Sequence, residues 1–316
     1  MTSNEYKHKT VLLKETIDEV NPHDNGIYVD ATFGRGGHSK ELLSRMHHSH
    51  LYVFDRDEAA IKVGESIQND PAIIGDNTLT LIRDNFENMQ ERLLDLGVTE
   101  VDGIVYDLGV SSPQFDDAVR GFSYKKAARL DMRMDQRQDL DAEKIVNDWS
   151  YSELVGIFYK YSDEKFSKQI ARAIERTRED HRITSTLELA DIIKNAIPAA
   201  ARRTGGHPAK RVFQAIRIAV NDELGSLERS LDQAIKLLAP KGRISVITFQ
   251  SKEDRIVKHI FKDNSHVDVP RGLPVIPDDI KPVLKQITRK PILPNDKELA
   301  ENNRAHSAKL RVVEKI

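Results

Sequence analysis

Short apolar runs that end on a carboxylate recur through the first third of the chain. Ile27-Tyr28-Val29 runs into Asp30, Leu51-Tyr52-Val53-Phe54 into Asp55, and Ile104-Val105-Tyr106 into Asp107. Runs this short and this continuous suit strands buried on both faces of a parallel sheet. Leu79-Thr80-Leu81-Ile82 is a fourth such run. Between them, apolar residues spaced by three or four predict helices over 40–46, 58–67 and 89–96, the last stopped by Gly97. From Gln114 the alternation stops. Helical periods follow at 141–149, 152–159, 164–178 and 186–196, with ordered loops at 120–124 and 130–135, and no strand pattern returns until Ile244.

Residues 212–238 then read as one helix, with Phe213, Ile216, Val220, Leu224 and Leu227 on a single stripe and Pro240-Lys241-Gly242 ending it. A fifth strand is predicted over 243–249, a helix from Ser251 to Phe261 with Glu253-Asp254 in its first turn, and an extended, exposed connection over 270–282. Closing strands fall at 284–288 and 309–313. The expected fold is α/β, a doubly wound, Rossmann-like sheet with a terminal hairpin, interrupted once by a helical insertion. On this reading residues 1–113 and 212–316 form one domain and 114–211 the other.

Composition narrows the classes. With 39% hydrophobic and 31% charged residues over 316, the chain belongs among globular proteins with a sizeable core. No stretch approaches the ~20 apolar residues of a membrane helix, and Val11-Leu12-Leu13 is too short for a signal-peptide core. There is no cysteine, which excludes disulfides, thiolate metal sites and thiol catalysis and is compatible with a reducing cytoplasm. His47-His48-Ser49-His50 reads as a solvated loop, and no metal site is expected. The net charge of −2 gives no global basicity. Locally the picture differs: 160–217 carries thirteen Lys or Arg against seven Asp or Glu, the kind of excess that phosphate contacts require. Arg202, Arg203, Lys210, Arg211 and Arg217, with Arg133 in the earlier loop, are the candidate RNA contacts, set against the plainer reading of solvated helix faces.

The candidate chemistry sits at the strand ends. After Asp30 comes Ala31-Thr32-Phe33-Gly34-Arg35-Gly36-Gly37-His38-Ser39, a glycine turn opening a helix, where backbone can approach a ligand closely. Asp55 lies nineteen residues beyond Gly36, the spacing at which an acid accepts ribose hydroxyls. Ser39 occupies the third glycine position of a dinucleotide fingerprint, so the turn suits a cofactor with a ribose and adenine but no pyrophosphate, such as S-adenosyl-L-methionine. Phe86 follows the third strand and is either a surface for adenine or a core anchor. Three acids, Asp30, Asp55 and Asp107, are expected at one edge.

At these residues the sequence resembles the bacterial ribosomal RNA small-subunit methyltransferase H family (RsmH, also called MraW). The resemblance runs through Val11–Glu15, the glycine turn, Asp107-Leu108-Gly109-Val110-Ser111-Ser112-Pro113-Gln114, Arg120-Gly121-Phe122-Ser123, residues 130–135, residues 206–224, Glu253-Asp254-Arg255-Ile256-Val257-Lys258 and Ser307-Ala308-Lys309-Leu310-Arg311. It implies a class I methyltransferase with a helical insertion that methylates the exocyclic N4 of a decoding-centre cytidine in 16S rRNA. It further implies that Gly36, Gly37, His38, Asp55, Phe86, Asp107 and Gln114 bind S-adenosyl-L-methionine. Departures from the family pattern are Thr10 for Pro, Ala127-Ala128-Arg129 for Asp-Gly-Pro, and Gln250 and Lys252 for His and Leu. Asp107, or a backbone carbonyl near it, is the candidate acceptor for the amine proton. Two competing readings share parts of this pattern: a nicotinamide-dependent oxidoreductase, and a ribosome-assembly factor that binds without catalysis.

Overall fold

The computed structural model describes residues 9–110, 112–202, 206–266 and 281–316. Two compact units divide the chain, one of 1–109 with 224–316 and the other of 110–223.

The first unit is built on seven strands: β1 (Ile27–Asp30), β2 (His50–Phe54), β3 (Thr78–Ile82), β4 (Val101–Asp107), β5 (Leu238–Thr248), β6 (Leu284–Gln286) and β7 (Lys309–Lys315). They form one sheet in the order β3-β2-β1-β4-β5-β7-β6. The first five are parallel, and β7 inserts antiparallel between β5 and β6. Neighbouring residues on the central strands feed opposite faces. Val29, Ile104, Tyr106, Ile244 and Val246 pack with Leu227 and Leu231 on one side. Tyr28, Val53 and Val105 pack with Ile17, Val20 and Leu42 on the other. That is why the strands read as unbroken apolar runs: both faces are covered, and each Val or Ile so buried contributes about 1.5–3 kcal/mol. Ile17 and Val20 belong to the helix Leu13–Val20, which the sequence pattern did not suggest.

The strand order runs outward in both directions from β1 and β4, whose residues Asp30 and Val105 are partners in the ladder. The carboxyl ends of these two strands therefore flank the topological switch point, where ligands of such sheets bind.

The second unit is helical. Its core joins Phe158, Ile170, Ile174, Leu189 and Ile193 to Val212, Phe213 and Ile216. The helix Tyr151–Ser162 starts at a capping box, in which Ser150 N donates to Glu153 Oε2 at 2.7 Å. The expected single helix over 212–238 is two helices, Ala209–Asn221 and Glu223–Leu237, separated by Asp222 in a left-handed conformation with φ of 45°. Their shared stripe divides accordingly, with Phe213, Ile216 and Val220 in the helical core and Leu227 under the sheet. The helical unit thus extends to Glu223 instead of stopping at 211. Leu284–Gln286 and Lys309–Lys315 pair as the expected terminal hairpin. Most of the 270–282 connection lies outside the described residues. Among the described residues no helix is long and apolar enough to cross a membrane.

Candidate active site

Each of the three strand-end acids is fixed by the turn beside it. Asp30 is buried at the end of β1 and accepts Ser39 Oγ at 2.6 Å and Thr32 N at 3.1 Å. Ser39, the residue that breaks the dinucleotide fingerprint, is thus the partner of the first acid. Asp55 follows β2 and accepts Gly34 N and Asp57 N, both at 2.8 Å. Asp107 closes β4, and its backbone N–H donates to Thr32 Oγ1 at 2.6 Å.

The glycines are required by the protein's own packing. Gly36 has φ of 71° and begins the helix Gly37–Leu43; a Cβ there would stand 2.7 Å from Ile67 Cδ1. A Cβ on Gly37 would meet Thr10 Oγ1 at 2.0 Å. His38, in the first turn, is buried with Nδ1 3.6 Å from Asp107 Oδ2.

The electrostatics of the edge are those of crowded acids. Burial pushes Asp30 up to about 6, against the hydrogen bonds from Ser39 and Thr32 that favour its ionised form. Asp55 is likewise pushed up to about 6 by burial, with the Asp57 and Gly34 N–H groups opposing. Asp107 moves furthest. Burial first, and then the charges of Asp30 and Glu253, raise it to about 8. Its Oδ1 is closed off from solvent and has no hydrogen-bond partner among the described residues. A shielded, unsatisfied carboxyl oxygen is a costly feature, and such atoms cluster where a ligand completes the bonding.

Glu253 was legible only as a helix-start acid. It is buried, its Oε2 accepts Phe249 N at 2.9 Å and Gln250 N at 3.0 Å, and its charge reaches Asp107. Thr32 is the other residue that sequence reasoning passed over. Phe86 takes the core position posed for it. It packs edge-on against Tyr106, with ring centroids 5.8 Å apart, in the sheet's core cluster, while the Arg56 guanidinium lies 5.9 Å from its ring centre. Gln114 is buried in the short helix Ser112–Asp116 of the helical unit. The histidine cluster is divided: His50 begins β2, its Nε2 2.7 Å from Thr80 Oγ1, while His47 and His48 are exposed beside Asp76.

Two of the candidate RNA contacts are committed elsewhere. Arg217 is buried, with Nε and Nη2 donating to Glu223 at 2.7 and 2.8 Å, so its guanidinium is not available to a phosphate. Arg133 donates to both oxygens of Asp131 and to Gln136 O and Gln138 O, stapling its own loop. Lys210 and Arg211 are exposed at the start of the helix Ala209–Asn221, and Arg202 is half-buried at the end of Ala199–Arg202. Arg203 lies outside the described residues.

A parallel Rossmann-like sheet with an antiparallel seventh strand, a glycine turn after β1 and acids closing β1, β2 and β4 defines the class I methyltransferase fold. The chain belongs to the MraW methylase family, whose model matches residues 5–316. It is 59% identical over 313 residues to the ribosomal RNA small subunit methyltransferase H of Lactobacillus johnsonii, covering 98% of this chain and 99% of that protein. To the protein of the same name from Limosilactobacillus fermentum it is also 59% identical over 313 residues, covering 99% of each. An rRNA methylase structure from Streptococcus thermophilus aligns over 98% of both chains with 12% identity and a TM-score of 0.43, a likeness too distant to bear on activity.

Proposed function

We propose that the chain binds S-adenosyl-L-methionine at the carboxyl edge of β1, β2 and β4 and transfers its methyl group to the exocyclic N4 of a decoding-centre cytidine in 16S rRNA, within the small ribosomal subunit. The observation that carries this reading is Asp107, a partly exposed carboxyl whose buried Oδ1 is left unpartnered among the described residues, in a cluster of acids at the switch point of the sheet. Crowded acids of this kind favour a cationic ligand over a pyrophosphate. The family match and the names of the curated relatives support the RNA substrate. The choice of nitrogen rests on the sequence resemblance and on one exclusion. Methylation of a pyrimidine ring carbon commonly uses an enzyme thiolate that adds to the ring, and this chain has no cysteine.

The residues present fit the cofactor. Asp55 already accepts one backbone N–H on each oxygen and keeps lone pairs on both for ribose hydroxyls. Phe86, with Arg56 over its ring, is assigned to the adenine side, and Gly36, Gly37 and His38 to the turn that the ligand approaches. Gln114 is carried by the resemblance alone. When bound, the cofactor supplies a methyl group on a positively charged sulfur. A positive charge beside the acid edge favours ionised Asp107, which can then accept a hydrogen bond from the cytosine amine. That bond turns the amine lone pair out of the ring plane. As a methyl group passed to the amine nitrogen, the amine would release a proton, and the Asp107 carboxylate would receive it. Placement contributes more than proton transfer, because holding the amine in line is worth about 7–11 kcal/mol. A stacked cytosine does not meet this requirement, so the base is turned out of its stack. Lys210 and Arg211, with Arg202 and Arg203, hold RNA phosphates.

The test is methyl-labelled S-adenosyl-L-methionine with small ribosomal subunits from cells lacking this enzyme. Label in 16S rRNA is the expected result. Intact cofactor binding without transfer to subunits or to free 16S rRNA would refute the substrate.

A further inference from the structure

A second concave surface lies in the helical unit, lined by residues outside the candidate active site. It is a cavity of about 850 Å³ between the start of the helix Tyr151–Ser162, one face of Ser167–Asp180 and the end of Thr186–Ala196. Lys168, Arg172 and Arg176 line it, together with Tyr151, Gln169 and Asn195, and no carboxylate does.

The sequence of Ser167–Asp180 explains this surface. Ile170, Ala171 and Ile174 turn one face of the helix into the core. Lys168, Arg172 and Arg176 recur every four residues on the exposed side, in one stripe with a step of about 6 Å along the axis. Neither Lys168 nor Arg176 has an ion-pair partner among the described residues, although Glu175, Glu179 and Asp180 share the helix. The Arg172 guanidinium is held 5.6 Å from the centre of the Tyr151 ring. Like charges four apart on an exposed helix cost only about 0.2–0.5 kcal/mol per pair, so the stripe is tolerated in the free protein, and its field attracts an anion.

We infer that this groove is an RNA-binding site, seating a single-stranded segment of the substrate through three consecutive phosphates and one base. The inference rests on the proposed RNA substrate and adds a contact to it. The step between cations is comparable to the separation of neighbouring phosphates along a single strand. The Arg172 plane, fixed by Tyr151, is a surface on which a base stacks. Gln169 and Asn195 each offer a donor and an acceptor, which suits sugar hydroxyls and base edges better than the carboxylates of an acidic peptide. The cavity is large enough for more than one nucleotide unit.

The experiment compares the full chain with the triple variant Lys168→Gln/Arg172→Gln/Arg176→Gln and with the three single variants, which preserve the test should the triple lose stability. Binding to undermethylated small subunits and to poly(U) is measured across a salt series, beside melting temperature and S-adenosyl-L-methionine affinity. At about 0.7 released counterions per phosphate on a single strand, loss of three contacts lowers the log–log salt slope by roughly 2. The triple variant is expected to bind RNA roughly tenfold or more weakly near physiological salt. Its KM for subunits rises in step, while kcat at saturation, cofactor affinity and melting temperature stay as in the unmodified protein. Wild-type affinity and slope in the folded variants overturn the inference, whatever acidic protein the groove then takes. Transfer to subunits with equal KM in both proteins removes the groove and leaves the function standing. A shallower poly(U) slope in the variant, with no transfer to subunits by either protein, keeps the groove and removes the function.

Discussion

Replacing Asp107 by Asn isolates the acid cluster on which the site reading depends. The carboxyl moves from an ordinary value of 3.8 to about 8, roughly four pKa units. At about 1.4 kcal/mol per unit, its ionised form costs the fold on the order of 5 kcal/mol. The folded protein binds this proton more tightly than the unfolded chain does. The stability Asp107 contributes is therefore complete below pH 3.8 and is lost as pH rises to about 8. Asn carries no such dependence. Urea unfolding at pH 4.5, 6, 7.5 and 9 should show the variant gaining on the unmodified protein by several kcal/mol across this window and levelling off above it. The constant cost of burying the amide shifts all four points alike and leaves the slope unchanged. Cofactor binding reads the same group from the other side. A cation favours ionised Asp107, so S-adenosyl-L-methionine affinity should rise between pH 6 and 8, by at most about tenfold per unit for one released proton, and the Asn variant should flatten that rise. A stability difference independent of pH would refute the reasoning, since it would mean that Asp107 is an ordinary exposed carboxylate.

Ser39→Ala removes the hydroxyl that holds Asp30 ionised, so Asp30 should titrate above about 6 and the variant should lose about 1–3 kcal/mol in melts at pH 8 and less at pH 5. Gly37→Ala sets a methyl against Thr10 Oγ1, and overpacking of this kind costs about 1–3 kcal/mol. Adding Thr10→Ala should recover part of the loss, a coupling that a double-mutant cycle of unfolding energies measures. Arg217→Gln strands the carboxylate of Glu223 and should destabilise by about 3–5 kcal/mol while leaving the RNA affinity of the folded fraction unchanged. Lys210→Gln/Arg211→Gln should do the reverse, lowering RNA affinity and its salt slope at constant melting temperature.

The sheet and its acids were legible because one physical fact wrote both. Strands covered on two faces must be apolar throughout, and the runs stop at their carboxyl ends, where Asp30, Asp55 and Asp107 stand and where neighbouring N–H and O–H groups can satisfy a carboxylate. What could not be read depends on contacts distant in sequence or on weak local signals. Glu253 approaches Asp107 only after a helical insertion has folded away between them. The break at Asp222 carries neither Gly nor Pro, so the periodicity runs through it uninterrupted. Charge density marked the insertion as basic, yet it cannot separate Arg217, whose partner Glu223 stands six residues on, from Lys210 and Arg211, which face solvent. The glycines were read for ligand approach, and Ile67 and Thr10 show that the fold demands them first.

The most direct measurement is the identity of the methylated nucleoside. Subunits from cells lacking the enzyme are incubated with the protein and methyl-labelled cofactor, and the 16S rRNA is digested to nucleosides and separated. The account predicts label in N4-methylcytidine and its loss in an Asp55→Ala protein that no longer binds cofactor. Label in 5-methylcytidine would contradict it outright, because a chain without cysteine would then be methylating a ring carbon without the thiolate that the argument requires.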